Sequence, residues 1–313
     1  MKYVKFISKR VLYMLITLFI TSFVIFFLLH IFGADPILTI CANKNVDGTI
    51  KDAMRKQYHL DQPLIEQYFI WLKGAVCGDF GVSYVGKLQV GTEIMNKVPV
   101  TAALIIGTSL CSFLLAIPLG VIQSVFAGRK LDTGIMVVLL VLASTPSFLL
   151  GLIALLIVPQ ILPGYSISGG YSNTAEFLSR VSIPCIVLSF VNIALLARLM
   201  RNSIVEQMNQ NYVMTARAKG FSYMRTMLGH IVPNSIIPVL TVGSIMIGGI
   251  VSESMLVEQV FSLPGMGSIL IKAISENDFP ITMAITMIML IIFMVCSMMI
   301  DIIYTLIDPR VEL

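Results

Sequence analysis

The chain has 313 residues, of which 57% are hydrophobic and only 12% charged, with a mean hydropathy of +0.91 and a formal net charge of +4. A soluble domain carries roughly 25% charged residues, and a 34.4 kDa globule has too little interior to hide so much apolar side chain. Lipid is therefore the solvent for much of the molecule, which excludes a soluble enzyme, a free nucleic-acid binder and a disordered scaffold.

A continuous apolar run of about 20 residues with few charges predicts a transmembrane helix. Six such runs occur, at about 11–31, 101–126, 134–158, 182–200, 236–256 and 281–307. They are apolar throughout rather than alternating, which excludes a transmembrane β-barrel. The first follows Lys2, Lys5, Lys9 and Arg10. Its apolar stretch is longer than the roughly 7–15 residues of a signal-peptide core, and no small-x-small cleavage site follows it. It is expected to be an uncleaved signal anchor.

With the N-terminus in the cytoplasm, the inner side holds Lys2, Lys5, Lys9, Arg10, Arg129, Lys130, Arg198, Arg201, Arg217, Lys219, Arg225 and Arg310, twelve of the 21 basic residues. The two short outer loops then hold only Arg180 and Lys272. The first outer loop, residues 33–98, is long, and its seven basic residues are balanced by seven acidic ones, so it counts weakly toward topology. Six spans return the C-terminus to the cytoplasm. The expected organisation is an N-terminal segment with the first helix (1–32), an extracytoplasmic loop (33–98) and a five-helix core (99–313) with a cytoplasmic segment at 201–235.

Within 33–98, the stretch from Asp61 carries Pro63 early and apolar residues at Leu64, Ile65, Tyr68, Phe69 and Leu72. This predicts a helix with one apolar side. It either lies in the membrane plane with Trp71 at headgroup level or packs over the ends of the spans. Gly81-Val82-Ser83-Tyr84-Val85-Gly86-Lys87 matches the opening of a phosphate-binding loop, but Leu88 replaces the Ser or Thr that would hold magnesium, and no strand precedes it. It is not expected to bind nucleotide. Cys41 and Cys77 share this loop and could pair or remain separate thiols, whereas Cys111, Cys185 and Cys296 lie inside spans. No cysteine–histidine spacing suggests zinc.

In the segment 201–235, Ile204, Met208, Tyr212 and Ala216 recur every four residues and predict a helix with one apolar stripe. Gly220 is placed to end it in the left-handed conformation. Ser222 can cap a second short helix, and Pro233 is expected to close the segment before the fifth span. The result is a helix–turn–helix elbow flanked by Arg217, Lys219 and Arg225.

This stretch resembles the cytoplasmic coupling loop of ATP-binding-cassette importer permeases, whose pattern is Glu-Ala-Ala, three residues, Gly, nine residues, Ile, one residue, Leu-Pro. Gly220 and Val232-Pro233 match in separation. Met214-Thr215-Ala216 stand where the family has Glu-Ala-Ala, and His230 stands at the Ile position, so the acidic residue is absent. The peptide and nickel branch shows that departure, with a version close to Thr215-Ala216-Arg217-Ala218-Lys219-Gly220. Other segments resemble that branch in the same order: Ala34-Asp35-Pro36, Leu60-Asp61-Gln62-Pro63 with Gln67-Tyr68, Gly78-Asp79-Phe80-Gly81, Phe261-Ser262-Leu263-Pro264-Gly265-Met266-Gly267, and Asp308-Pro309-Arg310-Val311.

The resemblance implies an all-α, six-span fold of the type I importer permease kind, in the cell (inner) membrane. It implies a non-catalytic subunit forming half of a path for di- or oligopeptides, or in an alternative reading for nickel or a metal chelate. The implied partners are a second homologous permease, one or two cytoplasmic ATPases, and an extracytoplasmic solute-binding protein. ATP and magnesium would sit on the ATPases, with no cofactor or metal in this chain. Residues 214–220 and Pro233 would form the seat for an ATPase.

The spans themselves offer little for ion coupling, which needs ionisable groups near the midplane. Glu253, Asp301 and His30 lie close to span boundaries, where interface solvation accounts for them. Small residues at Ala116 and Gly120, and at Gly243, Ser244, Gly248, Gly249 and Ser252, mark close helix contacts or, in the fifth span, a hinge or narrowing of the path. His30, His59 and His230 lie in different compartments, so an intramembrane protease is not supported, and no filter loop suggests a channel. An ion-coupled secondary transporter is the remaining rival.

Overall fold

The computed structural model describes the backbone of residues 2–41 and 47–307, with side chains described for 8–38, 40–41 and 47–299. The side chains of Lys2, Lys5 and Asp301, and the whole 308–311 segment, Arg310 included, lie outside these. In chain order the helices are α1 (Lys2–Phe32), α2 (Pro36–Cys41), α3 (Gly48–Gln57), α4 (Leu64–Val76), α5 (Val90–Met95), α6 (Val98–Val125) and α7 (Lys130–Ser144). They continue as α8 (Ser147–Ile161), α9 (Thr174–Met208), α10 (Asn211–Ala218), α11 (Tyr223–Thr226), α12 (Val232–Val260), α13 (Met266–Ser275) and α14 (Phe279–Ile307). Among the described residues the only β pairing is a single bridge between Val82 and Gln89.

Among the described residues five helices are long and apolar enough to cross a membrane, and α7 with α8 makes a sixth span if that bent pair is counted as one. The expected continuous span at 134–158 is therefore corrected: the chain turns by 102° between α7 and α8. The cause is local. Pro146 has no N–H to give to the preceding turn, and it pushes Thr145 out of the helical region to φ −96°, ψ 126°. The longest helix, α9, is started by a reciprocal cap. Asn173 accepts the Glu176 N–H at 2.8 Å, while Glu176 accepts the Ser172 N–H at 2.7 Å.

The chain divides into two compact units, residues 1–101 with 264–294 and residues 102–263 with 295–313. In the first, α4 packs on α1 through Tyr68, Trp71 and Leu72, while Ile65 and Phe69 of its apolar side stay exposed. Tyr68 is fully buried among Phe19, Phe23 and Phe26, and its hydroxyl meets Ser22 Oγ at 2.9 Å. The segment resembling a phosphate-binding loop also has its role here. Ser83 Oγ and the N–H groups of Tyr84 and Val85 all donate to the Asp278 carboxylate, the two amides at 3.2 and 3.3 Å. The anion held by this turn is the chain's own carboxylate. Cys41 and Cys77 are both free thiols.

In the second unit, α7, α8 and α12 pack around α9. Ala116, Ile193, Leu196, Ala197, Met200 and Ile204 form the heart of its core. Close approach demands small residues at two places named above. A Cβ on Gly120 would lie 2.6 Å from Met200 Cβ and 2.8 Å from the Ala197 carbonyl, and one on Gly243 would lie 2.3 Å from the Phe113 ring.

Candidate functional site

The elbow begins where α9 ends at Met208. The apolar stripe from Ile204 to Ala216 is expected on one helix, but Asn209 and Gln210 separate α9 from α10. Asn209 caps α9 with its backbone N–H on the Glu206 carbonyl (3.2 Å), and α10 starts in a new direction from Gln210 at φ −81°, ψ 150°. The stripe survives the break because both helices bury the same side. Ile204 and Val213 share one cluster with Met200, Met227 and Ile231, and Ala216 is also buried. Full burial of a valine side chain stabilises its position by about 1.5–3 kcal/mol, so α10 is anchored by its inner face.

The end of α10 is a Schellman motif. Gly220 adopts φ +82°, its N–H bonds the Arg217 carbonyl at 2.9 Å, and the Phe221 N–H bonds the Ala216 carbonyl at 3.2 Å. Ser222 then caps α11 by accepting the Arg225 N–H at 3.4 Å. Phe221, between the two caps, lies parallel to His230 at 5.7 Å between ring centroids, with the Arg225 guanidinium 4.6 Å from its own centroid. Two short helices are thus tied together by a stacked ring rather than by a slack loop.

Pro233 does not close the segment, contrary to expectation. From Tyr223 the chain stays helical through a wide π turn at Met227–Ile231 into α12, and Pro233 falls in the first turn of that helix. A proline there removes a bond that the changing ladder does not need. The elbow is therefore continuous with a membrane-length helix.

The outward face is mixed. Met214, Thr215, Arg217, Ala218, Lys219 and Gly220 are all exposed, as are Tyr223, Met224, Arg225 and Leu228. Large apolar groups such as Met214 (61% exposed) and Met224 (60%) alternating with three cations make a poor water-facing surface and a good protein-binding one.

Sequence reasoning passed over the residues at the root of the elbow. Arg201 forms a bidentate pair with Asp132, Nε to Oδ1 at 2.8 Å and Nη2 to Oδ2 at 2.6 Å, and the Gly128 N–H adds a third bond at 3.0 Å. Asp132 is only 4% exposed. The pair joins the first turn of α7 to the C-terminal part of α9, and the Gly128 bond ties in the turn after α6. An isolated aspartate opening an apolar run was the available signal, but nothing in the sequence pairs positions 69 apart.

The small residues of the fifth span separate in the structure. Gly243 is buried under Phe113, Ser244, Gly248 and Glu253 are half-buried, and Gly249 and Ser252 are exposed, with open space beside Gly249. Glu258, on the same helix, is fully buried and was not singled out.

Comparison with known proteins places these features in a wider set. Residues 116–313 match the family described as binding-protein-dependent transport system inner membrane component, and residues 3–105 match its N-terminal family. The chain is 34% identical to the dipeptide transport system permease protein DppB of Lactococcus lactis, over 99% of this chain and 100% of that one. It is 31% identical to the oligopeptide transport system permease protein AppB of Bacillus subtilis over 89% and 90% of the two chains. It is 30% identical to the glutathione transport system permease protein GsiC of Escherichia coli K12 over 98% of each.

Proposed function

The chain belongs to the family of inner-membrane components of binding-protein-dependent transport systems, and on that premise we propose that it is a permease subunit of an ATP-driven importer of di- or oligopeptides. The observation that carries the ATP-driven part is the elbow. Its inner face is anchored in the helical core, its turn is locked by paired caps, and its outer face offers methionines and cations to another protein. An ATPase seated on residues 214–220 would push α10, and the continuous helix from Tyr223 would carry the displacement into α12.

In this reading the chain is non-catalytic, and ATP and magnesium belong to one or two ATPase subunits. A second homologous permease completes the path, and an extracytoplasmic binding protein delivers the cargo. The elbow and both termini face the cytoplasm. The relatives named above are permeases for a dipeptide, oligopeptides and glutathione, which supports peptide over nickel or a metal chelate.

Reconstitution in liposomes tests the reading. ATP-dependent uptake of a labelled dipeptide should require this chain, a second permease, the ATPases and the binding protein together. Uptake energised in the lone chain by an ion gradient would overturn it in favour of a secondary transporter.

A further inference from the structure

We propose that the first unit contains a site for an amino-alcohol ammonium group, of the ethanolamine or choline kind, in a cavity walled by aromatic rings. The cavity measures about 260 Å³. That is below the roughly 300–1,000 Å³ of pockets for drug-sized ligands, so it takes one small group and not a peptide chain. Part of its wall is a chain of rings, Tyr58, Tyr84, Phe279, His30, Phe26 and Trp71, each 4.1–6.4 Å from the next between centroids, and aliphatic and polar residues such as Ile70, Met283 and Gln67 complete it.

The charge of the wall selects the ligand. Among the described residues no lysine or arginine lines the cavity, whereas Asp79 does, and the Asp278 carboxylate accepts the N–H of Tyr84. Aromatic faces with a nearby carboxylate attract a cation that sheds water easily, which describes an alkylated ammonium better than a metal ion. Burial, with Asp278 and Tyr58 beside it, pushes the Tyr84 phenol well above its ordinary value, so the ring meets a cation as a neutral aromatic face and not as a phenolate. His30 bonds the Phe26 carbonyl through Nδ1 at 2.8 Å, leaving Nε2 to accept from the hydroxyl of an amino alcohol or from the N–H of a primary ammonium. The Trp71 indole N–H is buried without a partner. An orphaned donor in such a wall suits an oxygen one or two carbons from the nitrogen, which an amino alcohol supplies.

The same chemistry is available as a free amino alcohol or as a phospholipid headgroup. Trp71 is the only tryptophan of the chain, so its fluorescence reports the cavity directly. The full chain in phosphatidylglycerol nanodiscs would be titrated with choline and with its uncharged isostere 3,3-dimethylbutan-1-ol. Choline should give a saturable change, with the isostere at least ~5-fold weaker. Equal responses, or no response to either, would overturn the site, and this comparison needs no mutant. Tyr58→Leu should weaken choline at least ~5-fold while Tyr58→Phe keeps the response; a leucine variant that binds like the native chain also overturns it. Repeating the titration with phosphatidylethanolamine in the nanodisc separates the sources. A shift to higher choline concentration assigns the site to the lipid headgroup, and an unchanged curve assigns it to the free amino alcohol.

Discussion

In the elbow, the backbone is fixed by contacts between close neighbours in sequence: Gly220 with Arg217, Phe221 with Ala216, and Ser222 with Arg225. In the connection between α1 and α6, residues 33–97, the fixing contacts come from far away. Ser83 is held by Asp278 at a separation of 195 residues, and Tyr68 is held by Ser22 at a separation of 46. A segment of the first kind carries its turn geometry in its own residues, and the burial of its inner face seats that preformed turn on the core, which suits a lever. One of the second kind is ordered only when distant helices are in place, so its order reports on theirs.

The sharpest way to break this contrast is at Asp278. Replacing it with alanine leaves the Ser83 hydroxyl and two backbone N–H groups without their acceptor, and a buried unsatisfied donor costs about 1–3 kcal/mol. With three donors affected and some rehydration, a loss on the order of 3 kcal/mol is expected. Hydrogen exchange should rise sharply across residues 81–90 and stay native across residues 211–226. Equal loosening of the elbow would show that its stability is not local.

A comparable loss, on the order of 3 kcal/mol, is expected for Asp132→Ala. This is the lower part of the range for breaking a buried ion pair, since Arg201 keeps 22% side-chain exposure and can regain water. This variant should lower the thermal unfolding midpoint in detergent and loosen the root of the elbow while its internal caps persist. An unchanged midpoint would show that the pair does not anchor the elbow.

These two sites also mark where the sequence stopped being legible. The apolar runs located α1, α6, α9, α12 and α14, because a stretch that long has one home. Gly220 and Ser222 were readable because a cap is a local device with a residue preference. Thr145-Pro146 was equally local, and its effect was overlooked because hydropathy continues smoothly across it. Asp132 with Arg201, Ser83 with Asp278, and the ring wall from Tyr58 to Trp71 were out of reach, since each is assembled by packing between distant residues. Pro233 misled because a proline in a first turn and a proline beyond a helix look alike in sequence.

Gly220→Val tests the lever itself. At φ +82° a β-branched residue costs roughly 1–2 kcal/mol or more, and no neighbour crowds the position, so the cost is conformational rather than steric. Expression and insertion should stay near native while ATPase association or cargo-stimulated ATP hydrolysis falls. Gly220→Asn, more at ease in the left-handed region, should fall less. Native coupling in the valine variant would remove the elbow from the mechanism.

The smallest effects come from deleting the same atom in both regions. Tyr68→Phe removes a hydroxyl from a fully buried ring whose partner, Ser22 Oγ, still bonds the Phe19 carbonyl at 2.9 Å. No donor is orphaned, so the cost is one ordinary buried hydrogen bond, about 1 kcal/mol. Tyr212→Phe removes the bond to Gln207 Oε1 (2.8 Å) at a half-buried site where water can replace it, and about 0.5 kcal/mol or less is expected. Denaturation midpoints of the two variants, measured side by side in one detergent, give the ordering. If the Tyr212 variant lost as much as the Tyr68 variant, the elbow would depend on buried contacts to the same degree as the connection, and its independence from its surroundings would fail as an explanation of its stiffness.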